Sequence, residues 1–443
     1  MTPHPGVMLS DGAHEVSSHS DGAAGGAPVA RRRRRRLHRT TLVLASLLAP
    51  IAALTGLGLA ELWPTDDPPA TGVVAVAAEY PRAEVVEASS ERCGGSNEDR
   101  RPDGAIPAEV DCTLLTARVT TSDAVGQSVQ VWAPALIRPE DLPPGTAIVL
   151  VRYLQTAGEP EAWAWYDYAR TVPLGVLAVL YGVVVVAVAG MRGLRALLGL
   201  AFASVVIAVF VLPALLQGSD PLLVGLTGSS AIMFVVLYLA HGLSRRTTTA
   251  LLGTFAGLGA TAVLGAVAAR SARISGISVE ENYRLAQLTG NLDGTALRGL
   301  FLASVVLAGL GVLNDVTITQ ASAVWELRAA DPHAGIRDLF SRGMRIGRDH
   351  IASTVYTIAF AYAGAALPVL LLVQVYRLPV MQMIGSGEFA EEIARTLVGS
   401  IGLVLAIPLT TIIAALVVAT EPERRGRHTQ PAPQGHGHSH AGH

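Results

Sequence analysis

Long apolar segments alternate with short polar loops along most of this chain. An α-helix needs about 20 apolar residues to cross the hydrocarbon core of a bilayer. Eight segments approach or exceed that length: 41–62, 172–189, 194–216, 221–241, 247–269, 297–320, 351–375 and 393–420. The pattern predicts a mainly α, polytopic helical membrane protein with about eight transmembrane helices, seven of them in a membrane domain over residues 172–420.

The pattern changes between the first two apolar segments, over residues 63–171. Short β-branched runs alternate there with polar residues, and turn residues such as Pro143 and Gly145 separate them. The candidate strands are 72–78, 83–88, 112–121, 127–133 and 147–154. They predict a small β-rich domain, built as a barrel or sandwich. Four aromatic residues that precede the second apolar segment are typical of an interfacial belt: Trp163, Trp165, Tyr166 and Tyr168.

The two ends of the chain lack periodicity. Residues 1–40 are rich in Gly, Ser and His and include the arginine run 31–36, so they predict a disordered basic tail. Residues 421–443 predict a second disordered tail, rich in histidine. Such histidines are more often part of a tail than of a metal site when no other ligands support them.

The overall composition agrees with a membrane protein. Of 443 residues, 51% are hydrophobic and 15% charged, and the mean hydropathy is +0.43, which is too apolar for an ordinary soluble enzyme. The net charge of −2 argues against a nucleic-acid partner. The lipid bilayer is therefore the first expected partner.

Arginine placement predicts the orientation. Arginines cluster before the first apolar segment and in alternate loops after it, while the short loops 217–220 and 376–392 contain only Arg377 and carry the acidic Glu388, Glu391 and Glu392. By the positive-inside rule both termini are cytoplasmic and residues 63–171 are exported. A cleaved signal peptide is the alternative interpretation of residues 41–62. Residues 270–296 predict a short interfacial helix.

The only two cysteines, Cys93 and Cys112, both lie in the β-rich segment. Cysteines confined to an exported domain favour a disulfide, because a metal site would need more ligands at close spacing. We therefore expect one Cys93–Cys112 bridge and no metal.

Polar residues interrupt two neighbouring apolar segments. The first group is Asn314, Asp315, Thr319 and Gln320, and the second is Asp349, His350, Thr354 and Thr357. An ionisable residue in a membrane span is costly and usually faces the bundle interior or a wet cavity. Antiparallel helices would bring both groups to the cytoplasmic side, with Asp315 about two turns deeper than Asp349 and residues 335–348 lying along the membrane surface. Alternatively, the groups satisfy one another or a loop arginine.

Two runs around these groups resemble a known family. They are GVLNDVTITQASAVWEL at 311–327 and GMRIGRDHIASTVYTIAFAYAGAALP at 343–368. They are similar to the signature of the YibE/F-like bacterial multipass membrane proteins, most specifically in DV-x-I-x-Q-A and GRDH-x-x-ST. The resemblance extends over residues 83–420 and implies a bacterial plasma-membrane protein. Asn314 departs from the family's pattern and is a local feature of this chain.

The predicted function is a permease or channel-like protein for a small solute or ion, with Asp315, Asp349 and His350 as binding or proton-relay groups. The alternative is a non-transporting anchor or assembly partner that binds an envelope protein through its exported domain. An intramembrane aspartyl hydrolase ranks last. The chain has no nucleotide-binding loop, HExxH or GxSxG motif, so we expect no enzymatic activity and no cofactor.

Overall fold

A computed structural model describes residues 26–65, 78–101, 103–154, 161–277, 280–289, 294–377 and 379–420. The protein is mainly helical (69%) and carries an N-terminal β half-barrel, as the sequence predicts in outline. The described residues fall in two compact units. One lies within 26–63, 220–277 and 295–420, and the other within 64–219 and 280–294.

The β half-barrel is a six-stranded antiparallel sheet. Its strands are β1 (Ala78–Glu79), β2 (Arg82–Gly94), β3 (Glu109–Val119), β4 (Ser128–Trp132), β5 (Ala147–Tyr153) and β6 (Ala162–Tyr168). The order is β1-β5-β2-β3-β4, and β6 also pairs with β5. Alternate side chains such as Leu115, Ile148 and Leu150 point inward and are fully buried. Of the predicted strand 72–78, only Ala78 lies within the described residues.

The sixth strand differs from the prediction. Trp163, Trp165 and Tyr168, expected in an interfacial belt, lie on β6 and pack against the sheet's core. Aromatic residues favour strands because they suit a half-buried pleated surface, and this run pairs with β5 from Ile148 to Tyr153. Cys93 on β2 and Cys112 on β3 form the disulfide of this domain, with Cα atoms 5.8 Å apart.

The helices are α1 (Gly26–Glu61), α2 (Thr171–Val206), α3 (Leu212–Leu216), α4 (Pro221–His241), α5 (Arg245–Ser271), α6 (Glu280–Thr289), α7 (Gly294–Ala330), α8 (Ile336–Ala365), α9 (Leu367–Tyr376), α10 (Val380–Ile384) and α11 (Gly387–Ala419). A π-helical turn, Ile207–Val211, joins α2 to α3. Within the described residues six helical segments are long and apolar enough to cross a membrane, or seven if α8 and α9, bent by 68°, form one span.

Two boundaries differ from the predictions at the N-terminal end and before α7. The first helix begins at Gly26, so residues 26–40 of the predicted disordered tail are helical, as propagation from a formed helix adds one hydrogen bond per residue. The short helix predicted within 270–296 is α6. Residues 1–25 and 421–443, which include most of one predicted tail and the whole of the other, lie outside the described part of the chain.

Two predicted spans, 172–189 and 194–216, form one helical hairpin. The helical path breaks at Gly190, which has φ 60° and ψ −139°. A Cβ added at Gly182 would lie 3.8 Å from Leu197 Cδ1, and one at Gly193 would lie 2.5 Å from the carbonyl oxygen of Val185. A straight helix would hold these pairs far apart, at about 1.5 Å per residue. The chain therefore reverses at Gly190, where a conformation that favours glycine is required.

Helix α8 is continuous through the segment predicted to lie along the membrane surface. The sequence placed a separate surface helix at 335–348 and a span from 351, but α8 runs unbroken from Ile336 to Ala365. Gly343 and Gly347 permit this, because each lets α8 approach its neighbours: an added Cβ would lie 2.9 Å from Thr411 at Gly343 and 2.6 Å from Ile407 at Gly347. The prediction of two separate elements is therefore wrong.

Helices α5 and α11 pack closely through small residues. An added Cβ at Gly257 would lie 2.9 Å from Ala406, and one at Gly253 would overlap the hydroxyl of Thr410. Gly402 on α11 makes the same kind of contact with Thr261. The GxxxG pair at 253 and 257 thus has the packing role typical of small residues between apolar helices.

Candidate functional site

Asp315 on α7 and His350 on α8 come together on antiparallel helices. Asp315 Oδ2 lies 3.9 Å from His350 Nε2, within ion-pair but beyond hydrogen-bond distance. Asp315 is 15 residues before the end of α7 and His350 is 14 residues after the start of α8. Both therefore lie about 21–23 Å from the α7–α8 connection, at about 1.5 Å per residue. The predicted two-turn difference in depth between Asp315 and Asp349 is wrong, because α8 starts earlier than the sequence indicated.

Two buried polar atoms beside this pair have no hydrogen-bond partner. They are Asn314 Oδ1 and His350 Nε2, each with almost no exposed surface of its own. A buried polar group without a partner costs about 1–3 kcal/mol, so native proteins rarely leave one without a water, ion or ligand nearby. The Asn314, Asp315 and His350 group is therefore a place where a polar species would be stabilised. We call these three residues the α7–α8 site.

The α7–α8 site is open on one side. The side chain of Asp315 is 72% exposed and that of His350 31% exposed. Thr319, Asp349 and Thr357, which the sequence placed in the same pocket, are also exposed. The structure therefore brings Asp315 and His350 together but leaves Thr319, Asp349 and Thr357 on exposed helix surface. Helical spacing put these residues on one face, but it could not show that this face points away from the core.

The predicted hydroxyl groups of α8 bond within their own helix. Thr354 donates to the carbonyl oxygen of His350 at 2.8 Å, and Thr357 donates to that of Ser353 at 3.1 Å. Such bonds to the preceding turn satisfy a hydroxyl without any ligand. The hydroxyl groups of Thr354 and Thr357 are therefore satisfied within α8.

Gln320 is the predicted site residue that is fully enclosed, at 3% exposed. Its Nε2 donates to the carbonyl oxygen of Gly343 and to Thr411 Oγ1, both at 2.8 Å. Thr411 in turn donates to the carbonyl oxygen of Ile407 at 2.6 Å. Gln320 thus joins α7 to α8 and α11. Its role is in helix packing and not in binding a ligand.

A second buried polar contact joins α5 to α7. Thr254 and Thr317 are both fully buried, and their hydroxyl oxygens lie 2.7 Å apart. Thr254 also donates to the carbonyl oxygen of Ala250 at 3.0 Å. Together with the Gln320 bonds, this contact forms a buried polar layer on the inward face of α7.

The partners of this layer, Thr254 on α5 and Thr411 on α11, were not predicted from the sequence. Thr254, Thr410 and Thr411 are all fully buried, and Thr410 and Thr411 follow Pro408, a residue that frees a backbone carbonyl within a helix. The two adjacent threonines just after a proline within an apolar helix were the sequence signal that could have indicated a buried polar contact. Hydroxyls are common in spans, however, and their partners on other helices cannot be seen in a sequence.

The site has limited chemical options. Among the residues that the structure describes, no three His, Cys, Asp or Glu side chains gather in a way that could hold a metal ion. Asp315 and His350 do not hydrogen-bond to each other at 3.9 Å, but both side chains can bond to a polar species between them, and Asn314 Oδ1 can accept a hydrogen bond.

Comparison with known proteins identifies the family of this chain. No curated protein and no solved structure matches it significantly. The family model described as YibE/F-like protein matches residues 177–420. The match begins after β6, so the β half-barrel, which the sequence resemblance was expected to include, lies outside it. Because the matched region covers more than half of the chain and includes the α7–α8 site, this chain belongs to the YibE/F-like family.

Proposed function

We propose that this chain is a multi-pass protein of the bacterial plasma membrane, with eight spans and both termini in the cytoplasm. The six or seven candidate spans become eight when the two arms of the hairpin at Gly190 and the bent α8–α9 pair are each counted as crossing the bilayer. The arginines of alternate loops support the orientation. The β half-barrel then faces the exterior, which also suits its disulfide.

Within that membrane we infer a permease or channel-like function for a small solute or ion. The observation that carries this inference is the α7–α8 site, where Asp315 Oδ2 lies 3.9 Å from His350 Nε2, and where both this nitrogen and Asn314 Oδ1 are buried without a hydrogen-bond partner. A carboxylate on an otherwise apolar helix is costly, and such residues commonly mark substrate and ion pathways. The open side of the site gives a mobile species access to it.

Asp315→Asn tests the proposal, since it removes the charge and keeps the size of the side chain. We expect the variant to lose most of the flux in proteoliposomes that contain a pH-sensitive dye and are exposed to Na⁺ or K⁺ gradients at a clamped potential. Glu326→Gln is the matched control, because Glu326 is an exposed carboxylate near the end of the same helix, 3.7 Å from Arg246. Flux by Asp315→Asn equal to that of the wild type would refute a role for the site.

A second function is supported by a cleft in the β half-barrel. The cleft has a volume of about 1360 Å³ and is lined by Arg100, Arg101, Arg138, Trp132 and Leu136, among others. Leu136 is 97% exposed and has φ 72°, an uncommon conformation for a branched residue. An exposed apolar residue beside arginines suits a protein partner. The alternative function is therefore a non-transporting anchor or assembly partner in the envelope.

Crosslinking separates the two functions. A photoreactive group at position 136 in intact cells should capture an envelope protein if the cleft binds one, and Leu136→Asp should abolish the product. The matched position is Val125, which is also exposed on this domain but does not line the cleft. Equal capture from both positions would count against a specific partner. The proposal assigns no enzymatic activity to either site.

A further inference from the structure

Glu391 is the one ionisable side chain that is buried among the described residues, at 2% exposed. Glu391 was predicted to lie in the polar loop 376–392, but it lies on α11, which begins at Gly387. Glu391 is a stronger candidate for function than the exposed Asp315, because an ionisable group removed from solvent needs a physical or functional reason.

A short backbone segment covers this carboxylate. Residues 272–277, which follow α5 and which we call the strap, contain Gly276, whose backbone N–H donates to Glu391 Oε1 at 3.0 Å. Gly276 has φ 76° and packs against Leu297 so closely that an added Cβ would overlap the carbonyl oxygen of that residue. Arg298 Nε holds the strap from the other side by donating to the carbonyl oxygen of Ile274 at 3.1 Å.

Charged and titratable groups of α7, α8 and α11 lie near this place, whereas Arg270 at the end of α5 and Arg273 of the strap are exposed. On α11, Arg395 lies one turn after Glu391, and its guanidinium is 3.6 Å from Glu392 and 5.9 Å from the centre of the Phe301 ring. Helix α7 contributes Arg298, and Tyr362 of α8 lies within electrostatic range of Glu392 and Arg395. The charged groups around Glu391 are thus two arginines and one carboxylate, and they lie on α7 and α11.

We propose that Glu391 is a proton-binding site, a second station for the transported or coupling ion. This inference rests on the proposed transport function, which needs ion-binding groups within the membrane-spanning helices. The chemistry selects a proton over a metal cation. A cation such as Na⁺ or Ca²⁺ takes several oxygen ligands, whereas Glu391 Oε1 faces an N–H donor and Arg395 lies one turn away. Burial disfavours the charged form of a carboxylate, so a proton from water is a suitable ligand.

Proton binding would also loosen the strap. The bond from Gly276 to Glu391 is strongest when the carboxylate is charged, because a hydrogen bond to an ionised group is worth more than one to a neutral group. Loading the proton therefore weakens the contact that holds residues 272–277 over this end of the helices. The site would couple proton occupancy to the mobility of the strap.

Two measurements on the full chain in lipid nanodiscs test the proposal without any flux assay. The first is the infrared absorption of a protonated carboxyl group as the pH falls from mildly alkaline to mildly acidic. The second is hydrogen exchange of the strap amides, corrected for the intrinsic effect of pH. In the wild type we expect the carboxyl absorption to appear and Gly276 to exchange about tenfold faster at acidic pH, the ratio expected when a charged acceptor becomes neutral.

Glu391→Gln should remove the absorption and make strap exchange fast at both pH values, because the amide resembles the protonated acid in shape and charge. Glu392→Gln is the matched control, since the side chain of Glu392 itself is 38% exposed, and this variant should behave as the wild type. Glu391→Asp should keep the absorption. An absorption that persists in Glu391→Gln, or strap exchange that this variant leaves unchanged, overturns the inference. Either result leaves the Asp315→Asn flux test independent.

Discussion

The two polar faces of α7 differ in what surrounds them. Gln320 is 3% exposed and donates two hydrogen bonds at 2.8 Å, one to α8 and one to α11. Asp315, little more than one turn earlier, has a side chain that is 72% exposed and, within the described part of the chain, meets only His350, at 3.9 Å. Both are polar residues in an apolar helix. Their sequence signal is therefore the same, while one holds helices together and the other is available to a ligand.

The difference shows that polarity within a span has two separate causes. A buried polar side chain with all its bonds made contributes to the specificity of helix packing. An exposed or half-satisfied one has no such role and is the better candidate for function. The following experiments separate the two faces of α7 by their effect on stability, as measured by the thermal midpoint of the monodisperse protein in detergent.

The largest loss of stability is expected where α8 approaches the inward face of α7. Gly347→Leu places a side chain where even a Cβ would lie 2.6 Å from Ile407 Cγ2 and 3.3 Å from Gln320 Oε1. Overpacking of this kind costs about 3 kcal/mol or more. Gly364→Leu on the same helix is the control, because an added Cβ there meets nothing within 4 Å. Equal midpoints for the two variants would show that α8 does not pack here.

Removing Gln320 should cost less than overpacking but more than removing Asp315. Gln320→Ala deletes two buried hydrogen bonds and leaves a cavity, which together cost about 2–4 kcal/mol. Asp315→Ala is expected to change stability by no more than about 0.5 kcal/mol, as is usual for exposed positions. A larger loss for Asp315→Ala than for Gln320→Ala would reverse the assignment of the two faces.

A smaller effect is expected from the hydroxyl contact with α5. Thr317→Val keeps the shape of the side chain but loses the bond to Thr254, at a cost of about 1 kcal/mol. Thr319→Val, on the exposed face two residues away, should leave the midpoint unchanged. A double variant, Thr254→Val with Thr317→Val, should cost less than the sum of the single changes, because neither partner is then left unsatisfied.

The smallest effect concerns an ion pair in the β half-barrel, which contrasts with the loose Asp315–His350 pair. Arg152 Nε lies 3.0 Å from Glu161 Oε1, and this hydrogen bond holds the pKa of the Glu161 carboxyl below its usual range. A lowered pKa stabilises the folded state above the unfolded pKa, and that contribution disappears as the pH falls through the folded value.

Glu161→Gln should therefore speed hydrogen exchange of β5 and β6 slightly at neutral pH, and the difference from the wild type should vanish in acid. The side chain of Glu161 is 36% exposed and therefore partly screened by solvent, so the effect is the smallest of the four. Glu140→Gln, whose partner Arg138 is 3.4 Å away, serves as the control because both of its groups are largely exposed. A difference that grows toward acid would have the wrong sign.

Much of the fold could be predicted from periodicity. The helix Pro221–His241 has the predicted bounds, and α5 extends two residues beyond the prediction at each end, whereas α11 begins six residues earlier than predicted. Length and apolarity are local properties, so they can be counted along the chain. The run 335–348 could not be assigned in this way, because its arginines and its apolar residues suit a surface helix and a packed helix equally well.

The candidate site was predictable only in part. Asp315 and His350 were selected from their residue types, and the structure brings them together. Gln320 was placed in the same group, although it serves helix packing. Glu391 was assigned to the loop 376–392, but it lies on α11, is buried, and accepts a hydrogen bond from Gly276 of the strap.

The sequence by itself determined most of the long apolar helices, the presence of a β-rich region between the first two of them, and the family to which the chain belongs. These depend on short-range patterns and on motifs that are contiguous in the chain. Only the tertiary structure decided which face of α7 is buried, at what level Asp315 meets α8, and that Glu391 lies inside. Burial depends on neighbours that are distant in sequence, and a polar side chain on a helix can be buried only where neighbouring helices offer it hydrogen-bond partners.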